Sequence, residues 1–289
     1  MNNLNGIVLI IMAMAAFTLE DAFIKQLSGT IPVGQILIFL GIGSASIFAI
    51  AAWIKRKRLF TPAAWRAPFL FRSGAEALAA MCFATSLSLV DISVVAAVFQ
   101  ATPLAITMGA ALFLGEDVGW RRWSAIIVGF LGVLLIIRPG LEGFDPAALL
   151  VVGSVIAVAA RDLITRHIDP SVDSTIVSFQ GFAVMLIAGP LLLLITNQSL
   201  ETLNPVEWKM MLGGVIFGAI GYYGIVRAMR IGEASAITPF RYSRLIFSII
   251  VGVIIFDEQP DMLTLIGAAL IIGTGLYTFL RERQLVKRA

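Results

Sequence analysis

Apolar runs of membrane-spanning length follow one another from end to end of the chain, with short polar breaks between them. A helix that crosses a hydrocarbon core about 30 Å thick needs about 20 such residues. Ten segments reach that length: 4–27, 33–54, 67–89, 93–114, 122–138, 146–168, 174–195, 206–230, 234–256 and 261–280. Several breaks carry turn chemistry, among them Gly29-Thr30-Ile31-Pro32, Arg138-Pro139-Gly140, Asp169-Pro170-Ser171 and Asn204-Pro205. Pro and Gly stop a helix or reverse the chain at such places. No connection is long enough for a soluble domain. The pattern predicts an all-α membrane protein with ten transmembrane helices.

Composition points the same way. Of 289 residues, 59% are hydrophobic and 13% charged, with a mean hydropathy of +0.94, whereas a soluble domain carries about 25% charged residues. The single Cys82 rules out an internal disulfide, and the single His167 rules out a His-built metal site. Ala13-Met14-Ala15 resembles a signal-peptidase site, but residues 1–5 hold no basic residue and the apolar run continues past it. The first segment is therefore expected to stay in the mature protein.

The placement of the 21 Lys and Arg residues sets the orientation. Lys55, Arg56, Lys57, Arg58, Arg66, Arg121, Arg122, Arg166, Arg230 and the basic C-terminal tail fall on the side of the N-terminus. Lys25, Arg138 and Lys209 fall on the other. Cytoplasmic loops hold the excess of basic residues, so both termini are expected in the cytoplasm of a bacterial inner membrane.

The chain also repeats itself. FTLEDAFIKQL (17–27) matches VAARDLITRHI (158–168), with Asp21 on Asp162 and Lys25 on Arg166. SVVAAVFQATPLAITMGAALFLGE (93–116) matches SAITPFRYSRLIFSIIVGVIIFDE (235–258), with Ser93 on Ser235 and Glu116 on Glu258, at nearly the same spacing. A five-helix unit repeated twice follows, 1–140 and 141–289. Five is odd, so the second unit runs through the membrane inverted, the plan of secondary transporters that bind substrate near the midplane.

The run from Ala96 to Glu116, with Pro103 midway and Leu114-Gly115-Glu116 at its end, resembles the EamA-type repeat of the drug/metabolite transporter superfamily. So does the Asp-x-x-x-Lys/Arg ending of the first helix in each half. The second copy departs from it, with Leu245 where Pro103 predicts a Pro and Asp257 in place of the Gly before Glu258. The resemblance implies a ten-helix exporter of small metabolites, with amino-acid exporters of the YddG-like kind the nearest in length.

Charges inside spans are costly, and face a partner or a wet cavity. Glu20, Asp21, Arg72, Glu76, Arg161, Asp162, Arg227, Arg241 and Arg244 are such charges. At about 1.5 Å of rise per residue, Glu76 and Arg244 lie at one depth near the midplane. They are expected to face one cavity and to pair. Arg241 is one turn from Arg244 on the same face. Arg72, Arg161 and Arg227 lie nearer the cytoplasm, where they can snorkel. Asp21–Lys25 and Asp162–Arg166 read as intrahelical i, i+4 pairs or gate elements. Phe99 and Gln100 on the fourth segment and Tyr242 and Ser243 on the ninth sit at cavity depth, as do Tyr222, Tyr223 and Gln180. Glu76, Phe99, Gln100, Arg241, Tyr242 and Arg244 are therefore expected to bind substrate. A zwitterionic amino acid fits: carboxylate on Arg244 or Arg241, ammonium on Glu76, side chain on Phe99 and Tyr242.

Small residues suggest where helices touch and bend. Gly213, Gly214, Gly218, Gly221 and Gly224 crowd the eighth segment and allow close approach. Pro103 can kink the fourth segment and Pro239 the ninth.

Other functions lack their residues. The chain has no H-E-x-x-H or G-x-S-x-G, the signatures an intramembrane enzyme would need. It has no G-x-x-x-x-G-K-[ST] for direct use of ATP. No cofactor or metal is expected. The expected partners are a small-molecule substrate and the lipid bilayer, without nucleic acid, for a monomer that exports amino acids, aromatic or other neutral ones, by alternating access through a central cavity. A multidrug or organic-cation exporter and a non-transporting membrane complex subunit are the alternatives.

Overall fold

The structure, a computed structural model, describes residues 3–60, 65–116, 118–141, 144–165, 172–231 and 237–286. Among the described residues every regular element is helical. These are α1 (Asn3–Leu27), α2 (Val33–Ile54), α3 (Ala67–Leu89), α4 (Ile92–Phe99), α5 (Thr102–Phe113), α6 (Trp120–Ile137), α7 (Ala148–Thr165), α8 (Ser174–Ala183), α9 (Met185–Thr196) and α10 (Pro205–Ile231). A 3₁₀ turn (Thr238–Tyr242), α11 (Ser243–Phe256) and α12 (Met262–Val286) complete the chain.

Joined end to end, α4 with α5, α8 with α9 and the 3₁₀ turn with α11 each make one rod. Eight helical segments are long and apolar enough to cross a membrane. The other two rods, α3 and α10, have 23 and 27 residues but carry polar positions, Arg72 and Glu76 in α3 and Glu207, Lys209 and Arg227 in α10. The outside of the bundle is apolar, with Trp53, Phe113, Leu194 and Ile254 among its most exposed side chains. Lipid covers such a face without cost.

The rod breaks have local causes. The ring of Pro103 would meet the carbonyl of Phe99, four residues back, so one helix cannot run through. The break falls at Gln100–Ala101, and Thr102 Oγ1 donates to the freed Phe99 carbonyl at 2.6 Å. Pro239 sits in the first turn of the 3₁₀ segment. The break at Val184, upstream of Pro190 in α9, is one that the apolar run 174–195 does not disclose.

Packing pairs α1 with α10, α3 with α7, α2 with α8 and α9, α4 with α11, and α6 with α12. Glycine sets several distances. Gly34 of α2 and Gly189 of α9 each present bare backbone to the other's carbonyl oxygen. Between α6 and α12, a Cβ on Gly132 would stand 2.7 Å from the Gly267 oxygen, and one on Gly267 2.6 Å from the Gly132 oxygen. Reciprocal contacts of this kind are what a two-fold arrangement produces. The partners run antiparallel: early Gly34 meets Gly189 while later Gly41 meets Met185 and Phe182. On α1, Phe23, Phe17 and Ala13 meet Gly213, Gly221 and Gly224 of α10 in turn.

Substituting Gly267→Val forces α6 and α12 apart. The expected cost is about 1–3 kcal/mol, as for other overpacked contacts. Thermal unfolding of the purified protein measures it. Gly273→Val on the same helix meets nothing within 4 Å and should leave the midpoint unchanged apart from propensity.

The departure of Asp257 from the repeat costs the fold nothing visible. Gly115 and Asp257 both take left-handed backbone, at φ 67° and 53°, a conformation that Asp tolerates. The same hydrogen bond closes both turns, Glu116 N to Ala110 O at 3.2 Å and Glu258 N to Gly252 O at 3.0 Å.

Where α6 ends, Arg138 pairs with Asp261 at the start of α12. Donation by Arg138, helped by the Thr264 amide, lowers the Asp261 carboxyl from 3.8 to about 2. Because its folded value is depressed, the contact's stabilisation is complete above pH 3.8 and lost as pH falls through about 2. Asp261→Asn should flatten that acid limb in a pH series of unfolding midpoints.

Candidate functional site

A cavity of about 670 Å³ lies between the rods, lined by residues of every helix except α6. That is within the range of about 300–1,000 Å³ usual for small-molecule sites. The broken rods put their irregular turns into its wall. Gln100 closes α4, and its amide reaches the Arg241 carbonyl at 3.5 Å across the cavity wall. Thus the α4–α5 break and the 3₁₀ turn face each other. Interrupted helices at such sites expose backbone and polar side chains where a substrate can use them.

Two charge groups flank this crossing. On the α3–α7 side, Arg161 Nη1 donates to both Glu76 oxygens, at 3.0 and 3.2 Å. Its Nε donates to Asp162 at 2.8 Å. Arg72, one turn before Glu76, lies 3.5 Å from the same carboxylate and donates to Thr165 Oγ1 at 3.1 Å. On the α1–α11 side, Arg244 donates to Asp21 Oδ2 through Nη2 at 2.6 Å and Nε at 3.2 Å. Its guanidinium stands 5.3–5.5 Å from the ring centres of Phe17, Phe83 and Phe99. Aromatic faces attract such a cation, most when it is desolvated. Here lies the reason an apolar span tolerates Arg244: a carboxylate and three rings replace its water.

Two other charged side chains line the same cavity without an ion pair among the described residues. Arg241, on the 3₁₀ turn, is exposed. Glu20, beside Asp21 on α1, rests on the bare backbone of Gly218 in α10.

At the end of the bundle away from the basic loops, a buried network joins α1, α4 and α11. Glu258, whose side chain is 3% exposed, accepts from the Ile92 amide at 2.6 Å and from Ser93 Oγ at 2.7 Å. Lys25 lies 3.6 Å from Glu258 and donates to the Val90 carbonyl at 2.7 Å. The Ser93 amide also donates to Glu258, at 3.1 Å; it and the Ile92 amide are among those that a helix N-terminus leaves unpaired, which a carboxylate satisfies well. At the basic end, Asp173 caps α8 by accepting from the Thr175 amide at 2.8 Å. That bond, with weaker help from Lys57 at 3.6 Å, holds the Asp173 carboxyl below its usual range.

All six residues expected to bind substrate, Glu76, Phe99, Gln100, Arg241, Tyr242 and Arg244, line this one cavity. The expected Glu76–Arg244 pair does not form: Glu76 goes to Arg161 and Arg72, and Arg244 goes to Asp21. The intrahelical Asp21–Lys25 pair is likewise replaced by longer-range partners on α11 and beyond it, Arg244 and Glu258. Asp162 is held by its neighbour Arg161, and Arg166 lies outside the described residues. Arg72 and Arg161 turn into the cavity instead of snorkelling. Tyr222 packs on Phe48 and Phe182 at its edge, at 5.2 and 5.9 Å. Glu20 counts among the intramembrane charges of the sequence, but only the packing of α1 on α10 reveals it as unpaired.

The model of the EamA-like transporter family matches this chain twice, over residues 4–138 and 145–280. The S-adenosylmethionine uptake transporter of Rickettsia conorii is 28% identical over 204 residues, 70% of this chain and 68% of its own. The pseudopaline exporter CntI of Pseudomonas aeruginosa is 24% identical over 273 residues, 93% of each chain. A solved crystal structure shares the fold with a TM-score of 0.65 at 18% identity, over 97% of this chain and 98% of its own.

Proposed function

Because the chain belongs to the EamA-like transporter family, within the drug/metabolite transporter superfamily, we propose that it exports a carboxylate-bearing metabolite of the amino-acid type. It is a multi-pass membrane transporter of small molecules. Its finer reading rests on one observation: Arg241 lines the cavity with no ion pair among the described residues. Every other arginine lining the cavity is engaged by a carboxylate. A guanidinium fork matches a carboxylate's two oxygens. Gln100, Tyr242 and Phe99 surround that position with an amide, a phenol and an aromatic face.

Two units, 1–140 and 141–289, enclose the cavity and exchange its access between the two sides of the membrane. The antiparallel, reciprocal packing of α2 on α9 and of α6 on α12 supports an inverted relation between them. The basic loops support a cytoplasmic position for both termini. The cavity lining reaches Arg72, Thr107, Thr165 and Thr278 near that end, whereas the Glu258 network occupies the other. The cavity is thus presented to cytoplasmic solutes, which supports export. One relative takes its substrate up and another exports, so direction is a property of each protein.

Liposomes carrying the purified protein in known orientation test this reading. Labelled amino acids should exchange across the membrane, loading from the face of the basic loops. Movement of organic cations that lack a carboxylate, with no amino acid moving, would overturn it.

A further inference from the structure

We infer that Glu20 receives a positively charged centre of the substrate, so that the transported molecule carries an ammonium, sulfonium or similar cation apart from its carboxylate. This rests on the transport reading above and adds the substrate's second charge.

The charges of the cavity can be matched one by one. Asp21 is held by Arg244; Glu76 is held by Arg161 and Arg72; Asp162 is held by Arg161. Glu20 and Arg241 are left, one of each sign, and no ion pair joins them. Neither acts on the other across the cavity, so an α-ammonium, one carbon from the carboxylate at Arg241, does not serve Glu20. A ligand that satisfies both carries a second cation on a separate group.

The position of Glu20 explains why the protein supplies no partner. Its carboxylate lies against Gly218, and a Cβ there would collide with Oε1. The neighbouring wall of α10 is bare as well, with Gly221 on Phe17 and Gly224 on Ala13. No donor comes from that side, and Glu20 makes no hydrogen bond among the described residues. The charges nearest to it are Asp21 on its own helix and Arg244 on α11, and Arg244 is already committed to Asp21 and three rings. An unpaired carboxylate in apolar surroundings is costly. A cation entering the cavity relieves that cost and gains the face of Phe17, one turn away on the same helix, which already holds a guanidinium. Met14, Ile24 and Ile225 line the adjoining wall and suit the apolar part of an organic cation.

Gly218 is then part of the specificity. Any side chain there pushes Glu20 off its seat, so Gly218→Ala should weaken cation recognition without changing charge.

Equilibrium binding to the purified full-length protein in lipid nanodiscs tests the inference. The probes are lysine and S-methylmethionine, which carry a second cation, leucine, which does not, and cadaverine, which carries no carboxylate. Wild type should bind lysine and S-methylmethionine more tightly than leucine. Glu20→Gln should weaken both by about ten- to a hundredfold, the scale of a charge-assisted contact, with leucine unchanged. The thermal midpoint of Glu20→Gln should hold or rise, since no internal partner is lost; a structural role would lower it. Equal binding of the four probes by wild type, or unchanged binding by Glu20→Gln, overturns the inference. Cadaverine bound in a Glu20-dependent way, with no amino acid bound, sustains Glu20 as cation receptor and instead removes the carboxylate reading of Arg241.

Discussion

Arg241→Gln should weaken binding of carboxylate-bearing substrates by about ten- to a hundredfold while leaving the folded protein as stable as wild type. A hydrogen bond to a charged group contributes about 1.5–3 kcal/mol, and each 1.4 kcal/mol is about tenfold in affinity. The separation of binding from stability follows from the neighbours. Among the described residues Arg241 holds no carboxylate, and its tie to the opposite rod runs through its backbone carbonyl, which accepts from Gln100. Glutamine keeps that carbonyl and removes only the guanidinium. Arg244→Gln is the contrasting case, because it leaves Asp21 buried without a cation. It should lower the unfolding midpoint as well as transport. Initial rates over a range of substrate concentrations make the distinction: Arg241→Gln raises KM, whereas Arg244→Gln also lowers the yield of active protein. Equal stability losses in the two variants would show that Arg241 is a structural charge.

How much of this the amino-acid pattern disclosed depends on which coordinate was needed. Depth along a helix follows from residue counting, and counting put Glu76, Phe99, Gln100, Arg241, Tyr242 and Arg244 around one cavity. The direction a side chain takes around its helix, and which helix it meets there, follow from packing. Arg244 meets Asp21 because α1 packs on α11, and Glu76 meets Arg161 because α3 packs on α7. The glycines that fix such neighbours are visible in the chain, but each shows only half of a contact. Gly34 identifies Gly189 only once both helices stand side by side. Local chemistry was more transparent: Pro103 disclosed the α4–α5 break, whereas Asp257 read as a departure from Gly115 although both close the same left-handed turn. Glu20 was visible as an intramembrane charge, but its significance is the lack of an ion pair among the described residues, which no spacing encodes.

The Asp21–Arg244 contact offers the sharpest energetic test, because both ends are buried and it ties α1 to α11. Side-chain exposures of 3% and 15% take the pair out of the screened regime in which exposed ion pairs contribute little. Asp21→Asn leaves a guanidinium enclosed by Phe17, Phe83 and Phe99 with no carboxylate bonded to it. Breaking a buried pair from one side costs about 3–5 kcal/mol. Asp21→Asn with Arg244→Gln removes both charges and leaves two amides able to bond each other, next to the Thr18–Ser248 contact at 3.4 Å. The double variant should therefore be more stable than either single one. Unfolding midpoints of the four proteins form the cycle, and additive losses would mean that the two side chains act independently. Transport separates structure from mechanism in the same set. If the charges only hold α1 against α11, the double variant carries substrate as well as it folds. If instead Arg244 must leave Asp21 as the units exchange access, the double variant folds but transports slowly, since nothing then switches with the incoming charge.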